Sequence, residues 1–246
     1  MSILKFFYSY WRADYTSVAQ KHFPTAHIIS LIIIAFLIYL TYILKYKLKD
    51  DKKEKIYSYI LGTTLIVNQV SLYYWYIDNS LLTLRECLPL YLCRLSIILC
   101  ILMIITKSHN IFDIVYFWGL GGAGIALFFN DTSIYTFPHY VFIQFFICHG
   151  GIVISIFFMM FVHNYTPNLT SLKRTFKWTI IYFIITIPTN YLLKSNYSYL
   201  RCKPNFPLLN QIPTNPFVYV PLFIICINIL FVLLYLPFYK TTKTKN

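Results

Sequence analysis

Acidic side chains are scarce in this chain, and none falls in the middle of an apolar run. The eight are Asp14, Asp50, Asp51, Glu54, Asp78, Glu86, Asp113 and Asp131, all in loops or near the ends of apolar blocks. Proton-coupled pumps commonly relay protons through carboxylates at mid-membrane, so this distribution argues against one. Charge of either sign is thin, at 12% of residues, where a soluble domain carries about a quarter. The alternating ten-residue segments of a membrane barrel are missing, which removes that architecture. The six cysteines form no CxxC pair and no Cys/His zinc spacing, so no metal and no soluble cofactor is implied. No secretory cleavage pattern follows the first apolar run, so the first long helix is expected to stay in the protein.

What the chain does have is apolar mass. Of its 246 residues, 58% are hydrophobic, and the mean hydropathy is +0.61. The apolar residues come in blocks long enough to cross a bilayer as helices. The expected fold class is therefore all-α: a polytopic transmembrane helical bundle, one domain over residues 1–246. Seven spans fit, at about 27–44, 56–76, 88–105, 111–129, 138–162, 175–193 and 217–239. The net charge of +13 sits in the short connections, which suggests membrane orientation and no nucleic-acid partner. Lys5, Arg12, Lys21, Arg85, Lys194, Arg201 and Lys203 fall on one side. Lys45, Lys47, Lys49, Lys52, Lys53, Lys55, Lys107, Lys173, Arg174, Lys177, Lys240, Lys243 and Lys245 fall on the other. The positive-inside rule then puts the N-terminus outside and the C-terminus in the cytoplasm, in a multi-pass protein of the cell membrane.

Polar groups are costly in lipid, so those inside spans carry the information. They are Asn68 and Gln69, Cys93 and Arg94, His139, Gln144 and His149, and Asn190. With about 1.5 Å of rise per residue, Cys93 lies roughly 8 Å and His149 roughly 16 Å in from the outer ends of their spans. Asn68, Gln144 and Asn190 also fall in outer halves, which suggests one polar layer and a cavity open to the outer leaflet. Each residue has a plainer role too. Cys93, Ser96 and Cys100 share a helix face and serve as small packing residues in that case. His149 is then a satisfied histidine, and Arg94 a snorkelling side chain bonded to carbonyls. His139, after Pro138, suits an interface anchor. Gly150 and Gly151 would admit a close helix or a substrate chain. Gly119, Gly122, Ala123 and Ala126 form a small-residue packing face. Cys87 and Cys202 fall on the same side, where an oxidising setting would allow a disulfide.

Four motifs in order, LPLYLC (88–93), VYFWGLGGAGIAL (115–127), FPHYVFIQFFICHG (137–150) and NYLLKSNYSYL (190–200), carry a resemblance. From about residue 56 to the last span, the chain resembles the YwaF-like integral membrane proteins of low-GC Gram-positive bacteria and mycoplasmas. These are distantly similar to a eukaryotic transmembrane family of cysteine-dependent phospholipid acyltransferases. The resemblance implies an acyl chain held as a thioester by a Cys and a His on different spans. Matched motif by motif, these are Cys93 and His149. Tyr91 departs from the LPLHLC form, in which His is common. The implied function is a membrane acyltransferase or transacylase on phospholipid or lipoprotein acyl chains. Membrane lipids or a lipidated protein are the partners, and Arg94, Gln144, Asn68 and Asn190 the substrate-binding candidates. The alternatives are a multipass transporter or a non-catalytic structural membrane protein.

Overall fold

A backbone in lipid has no water to bond, so an apolar block satisfies its amides within itself by coiling into a helix. The computed structural model shows this outcome throughout, and it describes residues 3–14, 25–129, 135–204 and 211–239. In chain order the helices are α1 (Ile3–Trp11), α2 (Thr25–Leu44), α3 (Asp51–Asp78), α4 (Leu92–Thr106), α5 (His109–Trp118), α6 (Ile125–Phe128), α7 (Tyr140–Val162), α8 (Leu169–Leu193) and α9 (Pro216–Tyr235). A π-helical segment, Gly119–Gly124, joins α5 to α6 as one rod. Among the described residues there is no strand. Each of the seven apolar blocks forms one long helix or rod. Four of these are long and apolar enough to cross a bilayer: α2, the rod His109–Phe128, α7, and α9 with its 3₁₀ end to Phe238. Lys21, Asp131, Lys240, Lys243, Lys245 and residues 205–210 lie outside the described residues, and of Lys5 only the backbone is described.

The bundle is built around α7, which is apolar on every face and therefore suited to burial on all sides. Its glycines set the closest approaches. A Cβ on Gly150 would lie 2.8 Å from Ile34 of α2, and one on Gly151 would lie 2.8 Å from Leu65 of α3. The glycine pair thus admits neighbouring helices, and Ile34 and Leu65 fill the space that a substrate chain would need. Gly119 meets Ile156 of α7 in the same way, at 2.6 Å. The π turn then aims the other glycines at different neighbours, Gly121 toward Phe231 of α9 and Gly122 toward Leu92 of α4. Of the expected packing face, Gly119 therefore meets α7 and Gly122 meets α4.

Two features depart from the sequence reading. First, α4 starts at Leu92, not near 88, and has 15 residues. At about 1.5 Å per residue that is roughly 22 Å, short of a hydrocarbon core of about 30 Å. The end of the preceding loop packs against the bundle at Cys87, Leu88, Leu90 and Tyr91, while residues 80–86 stay exposed. Non-helical backbone is tolerated there because protein groups satisfy it: the Leu88 amide donates to Tyr197 Oη at 3.0 Å, and Tyr73 donates to the Cys87 carbonyl at 2.7 Å. Second, α1 straps one end of the bundle. Trp11 donates to Asp78 at 2.7 Å, and Trp75 donates to the Trp11 carbonyl at 2.6 Å. His139 belongs to this strap and is no exposed anchor. It is 2% exposed and stacks on Tyr135. Its Nδ1 accepts the Val141 amide to cap α7, and Nε2 donates to the Arg12 carbonyl at 3.2 Å. Cys87 and Cys202 are both free thiols.

The opposite end is tied by charge. Glu54 at the start of α3 accepts from Lys107, from Ser58 at 2.8 Å and from His163 at 3.1 Å. Burial alone would raise the Glu54 carboxyl, but the Lys107 and Ser58 hydrogen bonds outweigh it and hold it below 4.5. Burial, then the Lys107 charge, push His163 below 6.5. Both shifts have the same sign for stability. The unfolded chain takes up protons at His163 and at Glu54 before the folded one does, so acid favours unfolding. Stability in detergent should be level above pH 6.5 and fall as the pH drops through 6.5 and then 4.5. Thermal unfolding across that range checks this, and Glu54→Gln with His163→Gln should flatten the profile.

Candidate functional site

The candidate site begins with the first turn of α4. A helix leaves its first four amides without partners in the helix, and a cap usually satisfies some of them. Tyr91 is the N-cap of α4, and its side chain makes no capping bond. The cap comes from a distant loop instead. Ser198 Oγ accepts the Leu92 amide at 2.9 Å. Tyr182 of α8 shares a 2.6 Å hydrogen bond with that Oγ and donates to the Leu90 carbonyl at 2.7 Å. Ser198 holds this place in left-handed backbone, at φ 51°. The amides of Cys93 and Arg94 come next in the same turn, beside the Cys93 side chain, and have no partner within the helix. Cys93 as a residue is half-buried.

Asn190 holds the capping loop. It is fully buried; its Nδ2 donates to the Tyr197 carbonyl at 3.0 Å, and its Oδ1 accepts from the Tyr197 amide at 2.7 Å and from Ser195 at 3.0 Å. Tyr197 in turn donates to the Leu84 carbonyl at 2.7 Å. Asn190 therefore shapes the site at one remove, and its polar atoms are taken by the loop.

Arg94 lies 7% exposed in a cage of phenol rings, with Tyr91 at 4.8 Å and Tyr76 at 5.4 Å from its guanidinium carbon. It donates to the Glu86 carbonyl and, at 2.7 Å, to the Tyr76 hydroxyl. These contacts, with a third to the Leu88 carbonyl at 3.4 Å, fasten the end of the preceding loop and use three of the five guanidinium N–H donors. Among the described residues no carboxylate pairs with Arg94, so its charge acts on its surroundings, the adjacent Cys93 included.

On α7, Cys148 is the side chain within electrostatic reach of Cys93 and Arg94. His149 is the next residue, about 100° round the helix. Its Nδ1–H donates to the Phe145 carbonyl at 2.8 Å, and its ring lies 4.1 Å from Phe145. That bond fixes the tautomer and leaves Nε2 as the acceptor. No hydrogen bond joins His149 to Cys93. Asn68 and Gln144 gather elsewhere, against each other: Asn68 Nδ2 donates to the Gln144 carbonyl and Gln144 Nε2 to Asn68 Oδ1, each at 3.1 Å. They line a groove between α3 and α7 that Cys93, His149 and Asn190 do not line. The expected single polar layer is thus three clusters, linked through α7 and the capping loop. The roles of Ser198 and Tyr182 were missed, since nothing in the local sequence of a loop says which helix end it caps.

Because three buried hydrogen bonds depend on Asn190, Asn190→Ala is expected to cost about 2–4 kcal/mol. A detergent melting curve should shift down by several degrees, and an unchanged curve would contradict the loop-holding role.

No match was found among curated proteins or solved structures. The model of the TMEM164 family matches residues 21–235, extending the likeness well before residue 56. The chain therefore belongs to the TMEM164 family, a transmembrane family.

Proposed function

We propose that this protein is a cysteine-dependent membrane acyltransferase or transacylase acting on phospholipid or lipoprotein acyl chains, with Cys93 as nucleophile and His149 as base. Within its family we group it with the YwaF-like bacterial proteins, on LPLYLC and QFFICHG. The observation that carries the reading is the placement of Cys93 in the first turn of α4. A thiolate there meets the positive end of the helix dipole, two amides and the Arg94 charge, all of which stabilise it against the cost of burial. The same two amides suit the oxyanion that forms when a thiolate attacks an ester. In the outer half of its span, Cys93 would lie near the level of lipid esters. The Lys and Arg count puts the start of that span on the outside.

The chemistry closes without a cofactor. His149 Nε2 takes the thiol proton, and Cys93 Sγ bonds to the ester carbonyl carbon. The C–O bond breaks and the lipid alcohol leaves with that proton. The acceptor hydroxyl then gives its proton to Nε2 and attacks the thioester, freeing Cys93. The Phe145 carbonyl orients the imidazole, as a third group commonly does for a base. Transfer from Cys93 requires Nε2 to come within hydrogen-bond reach of Sγ in the substrate complex, where catalytic hydrogen bonds often tighten.

A non-catalytic role draws on the same Phe145 bond, which satisfies half of the His149 ring, and on the carbonyl contacts of Arg94. Acyl exchange in proteoliposomes, read by lipid mass spectrometry, separates the two. Cys93→Ala should abolish exchange, and His149→Gln should slow it by about 10²–10⁴-fold. Full exchange in the folded Cys93→Ala protein would sink the catalytic reading.

A further inference from the structure

A groove of about 630 Å³ runs between α3 and α7, with Tyr10 of α1 at one end. Its size suits a small lipid segment. It opens beside Tyr59, Ile60 and Val67, all exposed on α3. In a bilayer this face meets acyl chains. No Lys, Arg, His, Asp or Glu lines it, so nothing there complements a charged headgroup. What it does hold is an amide pair one turn below an aromatic cluster. Gln144 is four residues into α7, about 6 Å from its start. Tyr140 packs there against Trp11 at 4.7 Å and Trp75 at 6.2 Å, an arrangement suited to the membrane interface. Gln144 therefore sits at glycerol depth.

The amide orientations are fixed reciprocally. Gln144 Nε2 is bound to Asn68 Oδ1, and Asn68 Nδ2 is bound to the Gln144 carbonyl. Gln144 Oε1 is left without a partner, on a side chain 8% exposed in apolar surroundings. An acceptor in that position calls for a donor. Ordinary diacyl phospholipid esters offer only acceptors at this depth, whereas a glycerolipid with a free hydroxyl offers both donor and acceptor.

We propose that the α3–α7 groove binds a neutral glycerolipid with a free hydroxyl, of the diacylglycerol class, its hydroxyl seated on the Asn68–Gln144 pair. This site shares no lining residue with the Cys93 turn and stands whether or not Cys93 is catalytic. The test reconstitutes the full chain in phosphatidylcholine vesicles with a trace of photoactivatable diacylglycerol or photoactivatable phosphatidylcholine, both carrying the same diazirine chain. Crosslinked peptides are then mapped. One hydrogen bond of about 1 kcal/mol corresponds to roughly fivefold preference. The diacylglycerol probe should label residues 59–71 and 140–147 about fivefold more than the phospholipid probe. Gln144→Leu should erase that preference. Val67→Trp, at the lipid-facing mouth, should reduce labelling by both probes and leave the amide pair intact. Cys93→Ala should leave the preference unchanged. Equal labelling by the two probes, a preference that survives Gln144→Leu, or undiminished labelling in Val67→Trp would overturn the proposal. So would its loss in Cys93→Ala.

Discussion

The first turn of α4 has amides to satisfy and no cap of its own, and much of the structure around it answers that constraint. Ser198 supplies the missing cap from the loop after α8, reached through Tyr182 and held by Asn190. The end of the loop before α4 is held against the bundle by Arg94, Tyr73 and Tyr197, so that the helix starts inside protein. Only the Leu92 amide is capped in this way. The next two, of Cys93 and Arg94, are left free of helix partners, which suits the proposed nucleophile.

The two ends of the bundle are built on different physics. At the α1 end, tryptophans, tyrosines and His139 hold the strap through ring contacts and hydrogen bonds, one of them to the Asp78 carboxylate. At the other end, Glu54, Lys107 and His163 form a charged cluster, and Asp113 takes Arg174 and Ser171. The charged end accounts for sensitivity to acid. The lipid-facing groove has no charged residue in its lining, and that fits an uncharged ligand. Between the two ends, α7 approaches α2, α3 and the π segment so closely that only glycine fits at Gly150, Gly151 and Gly119.

The helices were legible in the sequence because apolar runs of span length have few other solutions in lipid. Their caps were not. The start of α4 was misplaced by four residues because LPLY is as apolar as a helix interior, and the loop's course depends on partners far along the chain. Polar residues in spans were rightly singled out as informative, but depth alone does not say which face of a helix they take. Asn68 and Gln144 bond to each other across α3 and α7, and neither they nor His149 bond to Cys93. The glycine pair after His149 read equally well as room for a helix or for an acyl chain, and Ile34 and Leu65 occupy it.

The central claim is that Cys93 forms a covalent acyl intermediate. Mass spectrometry of the intact protein, purified from its membrane and rapidly quenched in acid, tests it most directly. The account predicts a fraction carrying the added mass of a fatty acyl group, localised to the peptide containing Cys93. Hydroxylamine at neutral pH should remove it, and Cys93→Ser should lack any such hydroxylamine-labile group. An acyl adduct at another residue that persists unchanged in Cys93→Ser would contradict it.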